Sequence, residues 1–410
     1  MPDQPDTKSS DVREAVCPAC GCCVAATFFQ DRQPLATLAW PATAEAARSM
    51  RALELDFAMC VDCGHIFNAA FEYDQVPYSD KPNLMFNRGT IWSGFLKDTL
   101  SMIVGKLAER PVVVEVGHGD GSFLAAVAAE RPDGRFIGFD PYGATDESGP
   151  VEFRSELFDP AIHLGEIGPD LIISRHVLEH MSKPLGFLQR VAFEAAVREQ
   201  APLFYLEVPC VDRMLETGRT VDLYYEHNSH FTTKSFTRML NRCFATIEEI
   251  GHGYDGEIIY ALARMAAAQQ QVQAAAASKA YLAGVRAARV SIAAQLDELA
   301  RSGRSVAIWG GTGKSAAFIN HYRLDAERFG VVVDSDAEKV GTYVPGMGQE
   351  IRSRDWLLRN PVEVILIPSQ WRARDILVEM AAAGIAGETI LIEHQGQLVD
   401  FRSGSHPYRR

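Results

Sequence analysis

Long apolar runs are missing from this sequence of 410 residues. No stretch approaches the roughly 18 consecutive apolar residues that a membrane-spanning helix requires. Residues 1–10 are polar and acidic, which is not the basic-then-apolar pattern of a secretory signal. The sequence therefore predicts a cytoplasmic protein without a membrane partner.

Basic residues are also in the minority, with 40 Lys and Arg against 53 Asp and Glu and a formal net charge of −13. Such a charge repels phosphate backbones and anionic membranes. The one concentrated basic stretch is the tail Tyr408-Arg409-Arg410. Composition therefore argues against a nucleic-acid partner, and with it against a zinc-ribbon adaptor for nucleic acids.

Cysteine is scarce beyond the first sixth of the chain, because six of the eight cysteines precede residue 64. The other two, Cys210 and Cys243, are isolated from the group and from each other. In a chain without a secretion signal, paired cysteines are more often metal ligands than disulfides. The clustering predicts a local metal site.

Two Cys-x-x-Cys-Gly pairs stand in this region, one formed by Cys17 and Cys20 and one by Cys60 and Cys63. Each places two thiolates in a tight turn whose glycine permits the bend, and four sulfurs complete a tetrahedral structural zinc site. Such a site leaves no coordination position open for chemistry. Competing ligands are Cys22 and Cys23, and reduced thiols without metal are the alternative interpretation.

Short apolar runs alternate with helix-length segments from Pro111 onward, and a second series of this kind begins at Ser305. This alternation predicts α/β domains with parallel sheets. Between the two series, an Ala-rich segment with spaced Leu, Ile and Val predicts a long helix, with a flexible linker as the alternative. We predict four segments: a zinc-binding module at 1–85, a catalytic domain at 86–264, a connecting helix at 265–302 and a Rossmann-like α/β domain at 303–410.

A glycine-rich turn follows the first predicted strand of the catalytic domain, in the sequence Glu115-Val-Gly117-His-Gly119-Asp-Gly121. Glycines at such a turn let the backbone approach a ligand closely. Asp140 ends the next predicted strand, where a carboxylate can accept both hydroxyls of a ribose. These residues suit either S-adenosylmethionine or NAD.

The motif E-x-G-x-G-x-G with Asp140, followed by Asp170-Leu-Ile-Ile-Ser-Arg-His176-Val-Leu-Glu179-His180 and Glu207-Val-Pro209, resembles class I S-adenosylmethionine-dependent methyltransferases. The resemblance implies a Rossmann-like parallel sheet and S-adenosylmethionine as cofactor. It also implies that Asp159 lies near the adenine. NAD on the same sheet is the principal rival.

A further cluster, Asp222-Leu-Tyr224-Tyr225-Glu226-His227-Asn-Ser-His230, brings aromatic, acidic and imidazole groups together after the last predicted strand of that domain. Such a segment can supply a general base with an orienting carboxylate. A solvated loop has the same composition, so the residues alone leave both interpretations open.

The order of cysteine pairs, methyltransferase core and trailing α/β domain resembles the nucleotide-sugar C-methyltransferases, which methylate carbon 3 of a 4-keto deoxysugar attached to dTDP. The resemblance implies that His227 removes the proton beside the ketone. It implies that Tyr224 and Glu226 polarise or orient, that His180 lines the pocket and that Tyr78 reaches in from the zinc module. The partner is then a nucleotide sugar, bound by a monomer or small homo-oligomer.

Two departures from that family's pattern leave the substrate open. Tyr225 stands where relatives commonly have histidine, and Asp255-Gly256-Glu257 replaces a Gly-Gly-Ser-like turn. The alternatives are a methyltransferase acting on oxygen or nitrogen of another metabolite, or an NAD-dependent oxidoreductase.

The last domain has a second glycine-rich turn, Gly310-Gly311-Thr-Gly313-Lys314-Ser-Ala316. It is not a Walker A loop, because Ile308 stands where the first glycine would be. It fits G-x-G-x-x-A after a strand, the dinucleotide fingerprint. By the resemblance, Gly311, Gly313 and Lys314 help to hold the pyrophosphate of the substrate. An NAD site and a purely structural turn remain alternatives.

Overall fold

The computed structural model describes residues 11–38, 40–77, 88–143 and 149–409. The chain divides into two compact units, residues 1–273 and residues 274–410. The domain boundaries expected at residues 85, 264 and 302 stay predictions. None of the described helices combines the length and apolar character that a bilayer span requires.

The first unit holds twelve of the described strands and seven of the described helices, in two groups. The amino-terminal group is β1 (Val12–Glu14), β2 (Val24–Gln33), α1 (Ala44–Arg48), β3 (Leu53–Cys60) and β4 (Ile66–Asn68). The second group is α2 (Thr90–Lys106), β5 (Val112–Val116), α3 (Ser122–Glu130), β6 (Arg135–Phe139), β7 (Val151–Arg154), α4 (Pro160–Ile167), β8 (Leu171–Arg175), α5 (Pro184–Val197), β9 (Leu203–Pro209), α6 (Asp212–Thr217), β10 (Ser229–His230), α7 (Thr233–Arg242), β11 (Thr246–Gly253) and β12 (Ile258–Arg264).

An antiparallel sheet of five strands, in the order β1-β2-β3-β4-β10, forms the amino-terminal module. Side chains alternate between its faces, so Leu55 and Phe57 of β3 are fully buried while Glu54 is exposed. Its last strand, β10, comes from much later in the chain and pairs Ser229 with Phe67 of β4. The segment that carries His227 is therefore fixed to this module.

The second sheet has seven strands in the order β11-β12-β9-β8-β5-β6-β7. β12 runs antiparallel to both of its neighbours, and the strands from β9 to β7 pair in parallel. Near-continuous apolar strands such as β5 and β8 are buried because helices cover both faces of the sheet. The class I methyltransferase sheet predicted for this part of the chain is confirmed.

The second unit repeats the α/β plan on a smaller scale. Its elements are α8 (Gln269–Arg301, which begins just before the unit), β13 (Val306–Trp309), α9 (Lys314–His321), β14 (Val331–Asp334), β15 (Ile351–Ser353), α10 (Trp356–Arg359), β16 (Val364–Leu366), α11 (Ala373–Ala383), β17 (Thr389–His394) and β18 (Gln397–Asp400). Its sheet order is β15-β14-β13-β16-β17-β18, with only β18 antiparallel among the described strands. The buried side chains of α8 are Ile292, Leu296 and Leu299, all in its last third.

Candidate active site and thiolate cluster

The four paired cysteines come together in the amino-terminal module. The Sγ atoms of Cys17 and Cys63 lie 3.7 Å apart, those of Cys20 and Cys60 lie 3.5 Å apart, and all four fall within 4.8 Å of one another. A tetrahedral site with zinc–sulfur bonds of about 2.3 Å places its sulfurs about 3.8 Å apart. The spacing and donor set therefore fit Zn²⁺.

The turns around the cluster explain why each pair ends in glycine. Gly21 and Gly64 have φ angles of +80° and +73°, a left-handed conformation that a side chain would strain. Burial raises the pKa of the Cys20 thiol to about 12, and a divalent cation would offset the cost of ionising this thiol. The competing thiols of Cys22 and Cys23 instead donate to the carbonyls of Val24 and Gly21.

A cavity of about 1080 Å³ opens at the carboxyl-terminal edge of the seven-stranded sheet. Of the residues predicted for the site, six are among those that line it: Glu115, Gly117, Gly119, His180, Tyr224 and His227. The cavity lining does not include Gly121, Asp140, Asp159 or Glu226. The predicted cofactor turn and the predicted base therefore share one cavity.

Both the backbone conformation and the available space require glycine in the turn after β5. Gly117, Gly119 and Gly121 have φ angles of +73°, +58° and +72°. A Cβ atom on Gly117 would lie 2.4 Å from Cγ2 of Val177, and one on Gly121 would lie 2.4 Å from the Phe153 ring. Nothing larger than glycine fits at these two positions without displacing a neighbour.

Glu115 is the last residue but one of β5, just before this turn, and is 2% exposed. Its Oε2 atom has no hydrogen-bond partner among the described residues. Burial raises the pKa of this carboxyl group to about 8. An unpartnered oxygen beside a cavity is suited to a ligand that brings a donor or a positive charge.

The two predicted aspartates differ in what they contact. Asp140 accepts hydrogen bonds from the backbone amides of Gly119 (3.1 Å) and Tyr142 (2.9 Å), and each carboxylate oxygen retains a lone pair for a ribose hydroxyl. Asp159 caps α4 by accepting from the Ala161 amide at 2.9 Å, and it pairs with Arg190 at 3.1 Å. A role beside the adenine stays a prediction for Asp159.

His227 lies in a group of aromatic and imidazole side chains. The Tyr224 hydroxyl is 2.9 Å from its Nδ1 atom and 3.0 Å from its Nε2 atom. The His180 ring stands edge-on to it, with 4.8 Å between the ring centroids. Burial, and then the neighbouring His180 and His230, lower the pKa of His227 well below 6.5. Its imidazole is therefore unprotonated at neutral pH, as a general base must be.

Glu226 is not among the residues that line the cavity, and its side chain joins two distant parts of the first unit. Its side chain is fully buried, and Oε1 accepts from the amide of Thr37 at 2.6 Å, from the Thr37 hydroxyl at 3.1 Å and from the Leu38 amide at 3.3 Å. Its own carbonyl oxygen lies 2.8 Å from Nδ1 of His180. Glu226 thus holds the segment after β2 against the segment that carries His227.

A buried ionic network lies at the base of the cavity, and sequence reasoning assigned it no role. Glu207 pairs with Arg175 at 3.1 Å and with Nε2 of His176 at 3.0 Å, while Nδ1 of His176 lies 3.3 Å from Glu179. Burial opposes the charge on His176, but its hydrogen bonds to Glu179 and Glu207 outweigh this and raise its pKa to about 9. Their position in the sequence could have indicated a role at the site, because Arg175 and Glu207 lie at the carboxyl ends of adjacent parallel strands.

Tyr78, which was expected to reach into the site, is outside the described residues. The predicted residues of the last domain belong to the second unit. In the second unit, Gly313 precedes α9, the Gly311 amide lies 3.4 Å from Asp334, and Lys314 lies over the Trp371 ring with 3.9 Å between Nζ and the centroid. The turn thus has the expected position between a strand and a helix, and its binding role stays a prediction.

Two protein families match successive parts of this chain. Residues 90–243 match the family described as methyltransferase domain, and residues 252–392 match the family described as C-methyltransferase C-terminal domain. The C-methyltransferase NovU of Streptomyces niveus is 25% identical over 269 residues, which are 58% of this chain and 62% of NovU. The chain therefore spans less than two thirds of the length of that relative.

Solved structures with similar folds include the 1,6-didemethyltoxoflavin-N1-methyltransferase of Burkholderia thailandensis, which is 13% identical to this chain. The match covers 43% of this chain and 81% of that protein, with a TM-score of 0.33. A SAM-dependent methyltransferase from Aquifex aeolicus is 14% identical, and the match covers 48% of this chain and 99% of that protein, with a TM-score of 0.32. Such values say nothing about substrate. The two successive matches show a methyltransferase domain at residues 90–243, followed by a C-methyltransferase C-terminal domain at residues 252–392.

Proposed function

We propose that this protein is an S-adenosylmethionine-dependent methyltransferase that methylates carbon 3 of a nucleotide-linked 4-keto deoxysugar. The observation that carries the proposal is the shared cavity, in which the glycine turn and the Tyr224–His227 pair both line the wall. The NovU relationship supports carbon as the acceptor atom. The sugar rests on the resemblance of the sequence motifs alone.

The glycine turn fits the cofactor on three counts. Gly117 and Gly119 both line the cavity, so a ligand can approach their backbone. The Oε2 atom of Glu115 can accept from the ammonium group, and Asp140 can accept from the ribose hydroxyls. Bound there, S-adenosylmethionine would supply an electrophilic methyl group. At the thiolate cluster, Cys17, Cys20, Cys60 and Cys63 would hold a structural zinc ion.

His227 would remove the proton from carbon 3 of the substrate. The C3–H bond breaks, the proton moves to the imidazole, and the electron pair delocalises onto the 4-keto oxygen as an enolate. That pair would form the carbon–carbon bond to the methyl group as the methyl–sulfur bond breaks, with the electron pair of the broken bond left on the sulfur of S-adenosylhomocysteine. His227 would then release its proton to solvent. The Tyr224 hydroxyl orients the ring, and Glu226 positions the segment.

Proton removal can be measured without methyl transfer. We expect the protein, with S-adenosylhomocysteine in D₂O, to exchange the C3 proton of a dTDP-4-keto-6-deoxy sugar for deuterium, as followed by NMR. His227→Asn should abolish this exchange, whereas His321→Asn, at an exposed site in the second unit, should leave it unchanged. Full exchange by His227→Asn would remove the proposed base.

Cofactor choice is tested separately, by calorimetry with S-adenosylhomocysteine and with NAD. We expect S-adenosylhomocysteine to bind and His227→Asn to retain that binding, because the base lies outside the glycine turn. Binding of NAD alone would contradict the methyl donor and favour an oxidoreductase. Cofactor binding with methylation of a hydroxyl or amine in place of carbon would contradict the carbon acceptor and leave the choice of cofactor unaffected.

A further inference from the structure

A second group of metal-ligating side chains lies apart from the four paired cysteines. The Cys210 thiol, an Asp212 carboxylate oxygen and a His252 ring nitrogen all lie within 4.8 Å of one another. Cys210 is 2% exposed, Asp212 is half-buried and His252 is exposed, so the group reaches from the interior to solvent. An ion could enter from the His252 side and meet the thiol at the inner end.

Thr233 organises two of these three side chains. Its hydroxyl donates to Oδ2 of Asp212 at 2.5 Å and lies 2.8 Å from Nε2 of His252, and its amide donates to the same Asp212 oxygen at 3.1 Å. Partners of this kind fix the orientation of first-shell ligands in metal sites. None of the ion pairs among the described residues involves Asp212, so no Lys or Arg there offsets its charge.

We propose that Cys210, Asp212 and His252 form a second zinc site in the first unit. One thiolate, one carboxylate and one imidazole are ligands that Zn²⁺ accepts together, and together with water they complete four-coordination. A thiolate and a carboxylate also balance the charge of the ion. Harder cations such as Mg²⁺ and Ca²⁺ prefer oxygen ligands throughout and do not suit the thiolate.

The position of the group gives the ion a structural role. Cys210 directly follows β9 and forms a bridge with Phe231, and the Val211 amide donates to the Phe231 carbonyl at 2.9 Å. These contacts hold together the two ends of residues 210–231, the segment that carries Tyr224 and His227. His252 belongs to β11, so the zinc ion links this segment to the edge strand of the seven-stranded sheet.

The test is a zinc count per chain after equilibrium dialysis of the full-length protein against a low concentration of free zinc. We expect Cys210→Ser and His252→Gln each to bind one zinc ion fewer than the wild type. The matched controls are Cys243→Ser, a buried isolated thiol, and His321→Gln, an exposed imidazole, and both should keep the wild-type count. Thr233→Ala should weaken the affinity roughly 10–100-fold.

Each outcome of the count bears on the proposal. Equal zinc content in the wild type, Cys210→Ser and His252→Gln overturns it. Because His252 is exposed, its substitution should not disturb folding, and His252→Gln remains informative if Cys210→Ser fails to fold. The thiolates of residues 17–63 are present in every variant, so a difference between variants does not depend on their zinc. The readout needs no substrate, so failure of the proposed methyl transfer would leave it unaffected.

Discussion

His176 shows how a single residue combines backbone strain with charge at the candidate site. Its φ angle is +52°, a left-handed conformation that few residues other than glycine and asparagine adopt. Both ring nitrogens face carboxylates, Nδ1 towards Glu179 and Nε2 towards Glu207. Two carboxylates at ion-pair distance favour the protonated imidazole, and these contacts help to offset the strain of the backbone.

The charge on His176 makes stability depend on pH. Its pKa is about 9 in the folded chain and about 6.5 when unfolded. A group whose folded pKa is higher contributes stability that is fully present below pH 6.5 and is lost as the pH rises through 9. We expect the free energy of unfolding to decline over this window, as measured by urea titration at several pH values, and to decline less in His176→Asn.

Asparagine is the informative substitution because it tolerates the left-handed backbone while it removes the titrating ring. His321→Asn provides the control, since its imidazole is exposed in the second unit. That control should keep the pH slope of the wild type. A wild-type slope that persists unchanged in His176→Asn would show that the network does not depend on a protonated imidazole.

A contact between residues of one motif could be predicted from the sequence, but a contact between residues far apart in the chain could not. Tyr224 and His227 stand three positions apart in one motif, and the Tyr224 hydroxyl lies 2.9 Å from Nδ1 of His227. Glu226 instead bonds to Thr37, which lies 189 positions away. No local pattern pairs those two residues, because their contact depends on β10 joining the sheet of the amino-terminal module.

At the scale of elements, the turn between β5 and α3 depends on the absence of a side chain at Gly117. We expect Gly117→Ala to lower stability by roughly 1–3 kcal/mol through overpacking against Val177, in addition to its backbone strain. It should also weaken S-adenosylhomocysteine binding, because the displaced turn lines the cavity. Chemical denaturation and calorimetry measure the two effects.

Gly218 offers a matched control for that substitution. Its φ angle of +67° is close to the +73° of Gly117, but a Cβ atom there meets nothing within 4 Å. Gly218→Ala therefore carries the backbone strain without the steric conflict. Equal losses of stability in the two variants would mean that strain alone explains the effect, and Val177 would then have no part in it.

The elements themselves were predictable where apolar residues are consecutive. The series of apolar runs that begins at Pro111 includes β5 and β6, because buried parallel strands are continuous apolar runs. Antiparallel β11 gave no such signal, since its residues alternate between exposed and half-buried and none is fully buried. The sheet formed by β1 to β4 could not be predicted either, because cysteines and turn residues are the main features of that part of the sequence.

At the scale of the whole molecule, the described residues form separate buried cores in the two units. One core joins the cysteines and Phe67 to Phe231 of the first unit, while Ile308, Val332 and other side chains of the second unit form their own. The succession of two α/β folds was predictable from two series of apolar runs. Because each unit has buried clusters of its own, stability can be changed in one unit through its own residues.

Removal of metal should therefore act on one unit. Zinc that binds only the folded state stabilises the unit that holds its ligands, and both proposed zinc sites lie in residues 1–273. After chelation we expect faster amide exchange in β2, β3 and β11 and no change in β13, β14 and β16, as read by hydrogen–deuterium exchange with mass spectrometry. Cys210→Ser should remove the effect at β11 and leave the effects at β2 and β3.

The converse experiment uses Ile308→Ala, which removes a fully buried side chain from β13 and should cost roughly 2–5 kcal/mol. Exchange should then rise in β13, β14 and β16 while β2 and β3 keep their wild-type rates. If chelation and Ile308→Ala instead accelerated exchange throughout residues 11–409, the two units would unfold as one cooperative body. The zinc ions would then stabilise the whole chain, and the separate cores would have no separate stability.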